Sequence, residues 1–327
     1  MDHLKTIPGG RASSNLLRAT LIDKVSLTLD ETRLVMLGAQ VLLGFQFEAF
    51  FLEEFGSLPR PVQGLQLLSL LCLMAAVILI IGPVMFDLIV CRGNAARGTQ
   101  RYANLMIEAA LLPFAAGIFL AFLGCSWATA GALPASVLAG AGFLATGGLW
   151  FLYPRWLRAR FHHPAPSLKL PPMQRPEPTP LPIRMRDILT EARIILPGAQ
   201  ALLGFQMVIF LSKAFQALPA LSRGLHLVAV CLLLISVVLL MAPPAYHRIV
   251  EDGEETERLY HFSRRVVLWA TVPFGLSLAC DLYVVVGTVL PGVGLRLGLS
   301  ALTVLLCAAC WYGYPVLCRR RLDRKKS

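Results

Sequence analysis

One sixteen-residue block occurs twice in this chain of 327 residues. Residues 31–46 read ETRLVMLGAQVLLGFQ, and residues 191–206, offset by 160, read EARIILPGAQALLGFQ. Each block opens an apolar stretch of the length that crosses a bilayer, so the expectation is a tandem duplication of a membrane-embedded unit. Other pairs keep the offset: Leu58-Pro59 with Leu218-Pro219, Gly64-Leu65 with Gly224-Leu225, Pro83 with Pro243, Gly93 with Gly253, and Pro113-Phe114 with Pro273-Phe274. After that the register slips by one, so that Trp150 and Tyr153-Pro154 match Trp311 and Tyr314-Pro315.

A membrane setting also follows from composition. Hydrophobic residues make up 56% of the chain and charged residues 15%, with a mean hydropathy of +0.66. A soluble domain of this size needs more charge to cover its surface, so the apolar excess has to face lipid. A spanning helix takes about 20 apolar residues. On that measure the spacing predicts eight spans, at 34–55, 64–86, 103–124 and 133–153, then 194–215, 224–246, 265–288 and 294–316. The expected fold is all-α: two four-helix membrane repeats at 34–155 and 191–318, a cytoplasmic segment 1–33, a linker 156–190 and a basic tail 319–327. Each repeat has an even number of spans, so the two insert the same way up, related by an axis along the membrane normal.

The formal net charge of +11 does not point to nucleic acid, because the basic residues flank apolar segments instead of forming a patch. Arg92, Arg97 and Arg101 lie between spans two and three. Eight Lys and Arg residues fall in 155–193, and six close the tail from Arg319 to Lys326. The opposite loops, such as CSWATAGALP at 125–134, are nearly uncharged. Both termini, the linker and loops 87–102 and 247–264 are therefore expected on the cytoplasmic side. Residues 1–33 contain no sustained apolar core, so the first span is expected to serve as its own uncleaved insertion signal. The linker carries eight prolines between 164 and 182, which favours an extended tether.

Polar groups inside the spans are the candidate contacts. Gln40, Gly44 and Glu48 are spaced i, i+4, i+8 on one face of the first span; the second copy reads Gln200, Gly204 and Val208. A buried amide seeks a partner, and a glycine one turn on lets another helix come close enough to offer one. Gln40 and Gln200 thus read either as interhelical packing groups or as ion or solute contacts, and Gln46 and Gln206 read the same way. Acids within spans cost several kcal/mol unless paired or hydrated. Glu48, Glu108 and Asp281 qualify, and they align with Val208, Leu268 and Ala121, so the copies have diverged there. No span is expected to offer a basic partner, and Glu48 with Asp281 would share a proton or cation between the halves. Pro113 and Pro273, inside the third span of each copy, predict matching helix kinks.

Loop 247–264 is acidic and loop 87–102 basic, which predicts pairing across the copies, for example of Arg97 with Glu255. The i,i+4 pairs His247/Glu251 and Glu257/His261 have metal-compatible spacing but lack a third ligand, so no metal site is expected. The eight cysteines lie mostly in apolar runs, the Cys307-x-x-Cys310 pair included, where they pack as small hydrophobes. The chain has no P-loop, GxSxG, GxGxxG or HExxH, and the expectation is a protein without catalytic residues or cofactor.

The stretch TEAR-x-x-LPGAQALLGFQ from Thr190 to Gln206 resembles a family of bacterial inner-membrane proteins of unknown function. LMAPPAYHRIVEDGEETER at 240–258 and VPFGLSLACDLYVV at 272–285 add to the resemblance. Members look like single four-span units, so this chain resembles a fused pair, and some relatives carry a sodium:proton antiporter label. The first copy departs from the pattern: Leu37 replaces Pro197, Asp87 replaces His247, and CRGNAARGTQR replaces the acidic loop. The leading functional expectation is a small-ion or small-solute carrier, uncoupled or proton-coupled, with Glu48, Asp281, Gln40 and Gln200 as contacts. The alternative is a non-transporting scaffold or assembly partner. Expected partners are the bilayer, H+ or Na+ and a possible homo-oligomer, with no nucleic acid.

Overall fold

The structure is a computed structural model that describes residues 34–94, 97–161, 178–252 and 254–324. The segment 1–33, the proline-rich centre of the linker, Gly253, the Arg97 side chain and the end of the tail lie outside the described residues. The described residues are almost all helical, with short turns between helices and no strand among them. Its long helices are α1 (Leu34–Ala49), α2 (Arg60–Cys91), α3 (Arg101–Trp127), α4 (Ala132–Leu157), α5 (Leu181–Ile209), α6 (Ala220–Ile249), α7 (Glu257–Val289) and α8 (Val293–Arg324). Seven of these are long and apolar enough to cross a membrane, and α1 is shorter.

Local chemistry explains where the helices begin and end. The repeated Leu-Pro places Pro59 and Pro219 at the N-caps of α2 and α6, where a missing N–H costs no helical bond. Thr256 caps α7 by accepting a hydrogen bond from the Leu259 amide at 3.1 Å. After α1 the chain turns through a short 3-10 helix, Glu53–Ser57. After α5 it turns through a one-turn helix, Lys213–Gln216, capped by Ser212. The first span of each copy therefore ends earlier than hydropathy alone predicts. Conversely, α5 begins at Leu181, inside the segment expected as linker, with Pro180 at its N-cap and Pro182 in its first turn.

Pro113 and Pro273 lie inside uninterrupted helices. The larger departures from α geometry are π turns at Gly148–Leu152 in α4 and Ala308–Gly313 in α8. In each the amide of the tyrosine before a proline reaches back five residues: Tyr153 to the Gly148 carbonyl and Tyr314 to the Ala309 carbonyl. The Tyr-Pro pairs supply the cause. Proline cannot donate, and it crowds the preceding turn, so the helix widens there in both copies.

The repeats are not equivalent in the assembled fold. Within each, the second and third helices pack along their length. Across the repeats, α2 of the first meets α7 and the π turn of α8, and the buried Trp311 donates its indole N–H to the Ile78 carbonyl at 2.9 Å. The mirror contact, α6 with α3 and α4, is not among the extensive ones. Accordingly 72% of the apolar window of α2 is buried but 39% of its counterpart α6, and 61% of α7 but 17% of α3. One apolar cluster runs through both repeats, with α2 and α7 at its centre.

The signature helices α1 and α5 lock together. A side chain at Gly198 would collide with Gln40, and one at Gly44 would collide with the Phe205 ring. The equivalent phenylalanines Phe45 and Phe205 meet with centroids 4.3 Å apart. This is close packing on small residues, the usual glue of membrane helices.

Candidate functional site

The buried polar groups gather on the second repeat. Asp281 of α7 and His226 of α6 are 2% and 1% exposed, and Asp281 Oδ1 lies 2.8 Å from His226 Nδ1. His226 Nε2 lies 3.0 Å from the Gln206 carbonyl oxygen. The Gln206 side-chain amide donates to Asp281 Oδ2 and, at 3.2 Å, to Ser277 Oγ. Ser277 in turn donates to the Ala229 carbonyl at 2.8 Å. Three helices, α5, α6 and α7, thus close one hydrogen-bonded ring.

The partners fix the protons. A carbonyl oxygen only accepts, so His226 Nε2 carries hydrogen. The Nδ1–Oδ1 contact then holds one further proton, either on the ring, giving an imidazolium–carboxylate pair, or on the carboxyl, giving a neutral pair. The net charge is zero in both cases. Toward the nearer end of the bundle the imidazole is walled by the rings of Phe210, Phe215 and Phe51, at 4.9, 5.1 and 6.2 Å between centroids. Phe51 comes from the first repeat, so that repeat helps to seal the site of the second.

A second polar cluster lies at the other end. Glu191 of α5 is 1% exposed, and neither carboxylate oxygen is met by an N–H or hydroxyl donor among the described residues. Its charged neighbours are Asp87 of α2, Asp187 and Arg264. Two adjacent carboxylates repel unless a proton or cation lies between them. Arg264 Nε donates to the Leu88 carbonyl at 2.6 Å, and Arg184 pairs with Glu257 at 2.8 Å while stacking on the Tyr260 ring. Here α2 ends in a π turn and two left-handed residues, Arg92 and Gly93, and the Tyr260 hydroxyl sits where a Gly93 side chain would go.

Helix α7 connects the two clusters. Tyr260, Ser263, Thr271, Ser277 and Asp281 are all buried, and at 100° per residue they fall on one side of the helix. The aligned residues of the first repeat are Gln100, Ala103, Leu111, Gly117 and Ala121. A buried polar line thus runs along the third helix of the second repeat and has no equivalent in the first. Along α5, Glu191 and Gln206 are fifteen residues and so about 22 Å apart, with Gln206 in the last turn and Glu191 ten residues after the start.

Of the expected contacts, only Asp281 belongs to this site. Glu48 is half-buried and shares no hydrogen bond or ion pair with Asp281. Gln40 is fully buried against Gly198, with both amide atoms lacking partners among the described residues. Gln200 is exposed on the surface of α5, and so is Glu108 on α3. The expectation that no span carries a basic partner is overturned by His226, 2.8 Å from Asp281 inside α6. The stretches 87–102 and 247–264 of the two copies meet through Arg264 and Tyr260, while the expected pairing of Arg97 with Glu255 lies outside the described residues. His261 and Glu257 approach to 3.8 Å, and no group of three metal-ligating side chains forms among the described residues.

Sequence reasoning missed His226 and Glu191, although signals for both were present. His226 aligns with Gln66, a change from amide to imidazole beside a change from alanine to aspartate. Glu191 aligns with Glu31 and is the first letter of the repeated block, an acid that both copies keep. No curated protein and no solved structure matches the chain. One family's sequence profile matches it twice, over residues 24–154 and 183–315. The chain therefore belongs to a family of unknown function (DUF6328), of which it holds two tandem units.

Proposed function

We propose that this is a multi-pass protein of the bacterial inner membrane that moves protons, alone or in exchange for a small cation such as Na+. In this reading eight spans form two like-oriented units, with both termini cytoplasmic. The basic residues around loop 87–102, the linker and the tail support that orientation. The site is a proton-holding one and not an enzyme's.

The observation that carries the proposal is the His226–Asp281 pair at the head of the polar line on α7. Ionisable groups at membrane depth are costly, and they mark ion pathways by default. The first repeat closes the same helix crossing without them, so the fold does not require the charge. The pair holds its proton at zero net charge. Gaining or losing one changes the charge of a dry site by a full unit, which is what couples proton movement to a counter-ion.

One observation favours the scaffold alternative. Gln40 is packed tightly against Gly198 at the repeat interface, and neither of its amide atoms is hydrogen-bonded to a described residue. Flux in proteoliposomes separates the two readings. Wild type should carry a pH- or Na+-driven proton flux, which Asp281→Asn and the double variant H226Q/D281A should abolish. Flux that is equal in all three, or none above empty vesicles, would leave the scaffold reading in place.

A further inference from the structure

A cleft of about 460 Å³ opens between α6 and α7 at the end of the second repeat that carries the loop 247–264, lined by Tyr246, Arg258, His261, Phe262 and Arg265. Its floor is a stacked pair, Tyr246 on Phe262, with centroids 4.6 Å apart. The first repeat has the same pair with the rings exchanged, Phe86 on Tyr102 at 4.5 Å. There the floor is covered: Tyr314 of α8 lies over it, at 5.3 Å from Tyr102 and 6.1 Å from Phe86. Tyr153, the counterpart of Tyr314, is exposed on α4 and covers nothing of the kind. The second floor is thus the uncovered duplicate of a covered one.

What surrounds that floor differs in charge. Arg258, His261 and Arg265 follow one another at i, i+3 and i+7 on one face of α7. The aligned residues of the first repeat are Gly98, Arg101 and Leu105. Neither Arg258 nor Arg265 makes a hydrogen bond or ion pair with a described residue, and only His261 has an acid in reach, Glu257 at 3.8 Å. One turn beyond Arg265 stands Trp269, 66% exposed. Tryptophan with that exposure beside arginine is the signature of the headgroup level of a bilayer.

We infer that this cleft binds the phosphate-bearing headgroup of an anionic membrane phospholipid. The two guanidinium groups are free to take the phosphodiester, Arg being the side chain suited to forked phosphate contacts. The aromatic floor takes the glycerol, and the acyl chains run down past Trp269. Its volume suits a headgroup, and basic clusters at a cytoplasmic membrane surface draw anionic lipid. A second copy of the chain, inserting α4 as α8 inserts in the first repeat, is disfavoured by charge. That helix brings Arg155, with Arg160 just past its end, to a cleft already lined by two arginines. The inference does not depend on proton movement.

The test uses the full chain purified in mild detergent, with native mass spectrometry and thermal melting as readouts. Phosphatidylglycerol should remain bound through delipidation and raise the melting temperature, while phosphatidylcholine and inorganic phosphate should do neither. R258Q/R265Q should weaken phosphatidylglycerol binding by about thirty-fold, as expected for two arginines near a membrane surface, and leave the lipid-free melting temperature unchanged. The inference is overturned by undiminished phosphatidylglycerol binding in that variant, or by inorganic phosphate stabilising as well as the lipid.

Discussion

At the crossing of α1, α2 and α3 the first repeat is held by amides. Gln46 donates to the Gln66 side chain at 2.6 Å, and Gln66 donates to the Ala121 carbonyl at 3.3 Å. The second repeat uses Gln206, His226 and Asp281 at the aligned positions. The hydroxyl bridge below also changes direction. Ser69 of α2 donates to the Gly117 carbonyl of α3 at 2.7 Å, whereas Ser277 of α7 donates to the Ala229 carbonyl of α6 at 2.8 Å. Both repeats therefore satisfy the same crossing with one glutamine-centred network and one hydroxyl. Only one of them bears the desolvation of an acid and an imidazole to do so. The difference separates what the fold needs, a polar bridge, from what it does not need, a titratable pair.

The largest effect should come from breaking the pair on one side. Asp281→Ala leaves a buried imidazole facing a void, and losing one partner of a buried pair costs about 3–5 kcal/mol. Adding His226→Gln should recover more than half of that, because the two changes together reproduce the Gln66–Ala121 arrangement of the first repeat. Thermal melts of the singles and the double, read as a double-mutant cycle, check this. A double variant no more stable than Asp281→Ala would mean that the two crossings are not interchangeable.

The glycines of the repeated block make the next comparison. Gly198→Ala drives a methyl into Gln40, whereas at the aligned Gly38 the nearest foreign atom is Phe114 Cζ, at an ordinary 3.8 Å. Overpacking of this kind costs about 1–3 kcal/mol, so Gly198→Ala should lower the melting temperature and Gly38→Ala should not. Likewise Gly44→Ala meets the Phe205 ring while Gly204→Ala meets nothing, and the latter should be neutral or slightly stabilising. Equal losses at both members of a pair would show that the repeats pack symmetrically after all. The tryptophans follow. Trp311→Phe removes the N–H donated to the Ile78 carbonyl across the repeats, a loss of about 0.5–1.5 kcal/mol for one hydrogen bond to a carbonyl that keeps its helical donor. Trp150, stacked on Phe114 within its own repeat, should tolerate the same change.

The duplication was legible from the repeated block because identical small residues at a fixed offset reflect identical backbone needs: Gly for close approach, Pro for helix starts and π turns. The span boundaries were less so. Phe50 and Phe51 continue the apolar run of α1, yet the chain turns there, a turn that hydropathy does not encode. The site itself was half legible. Asp281 stood out as an acid in an apolar helix, but His226 did not, because an imidazole early in a helix reads as interfacial until a partner from another helix is known. The asymmetry of the assembly was not legible at all. It depends on α8 packing on α2 while α4 makes no extensive contact with α6, a choice set by many small packing contacts and not by any one motif.

The smallest effect concerns the two glutamines that the block repeats most conspicuously. Gln40 is buried with both amide atoms unpaired among the described residues, and Gln200 is exposed. Removing an unsatisfied buried amide in favour of an apolar side chain of similar length relieves a desolvation cost, so Gln40→Leu should be neutral or stabilising by about 1 kcal/mol. Gln200→Leu, at a surface that already faces lipid in this reading, should change stability by less. Neither should alter proton flux if the His226–Asp281 ring carries it. Loss of flux in Gln40→Leu with an unchanged melting temperature would instead move the pathway to the interface between the repeats. The tight packing of Gln40 on Gly198 would then be one state of a joint that opens.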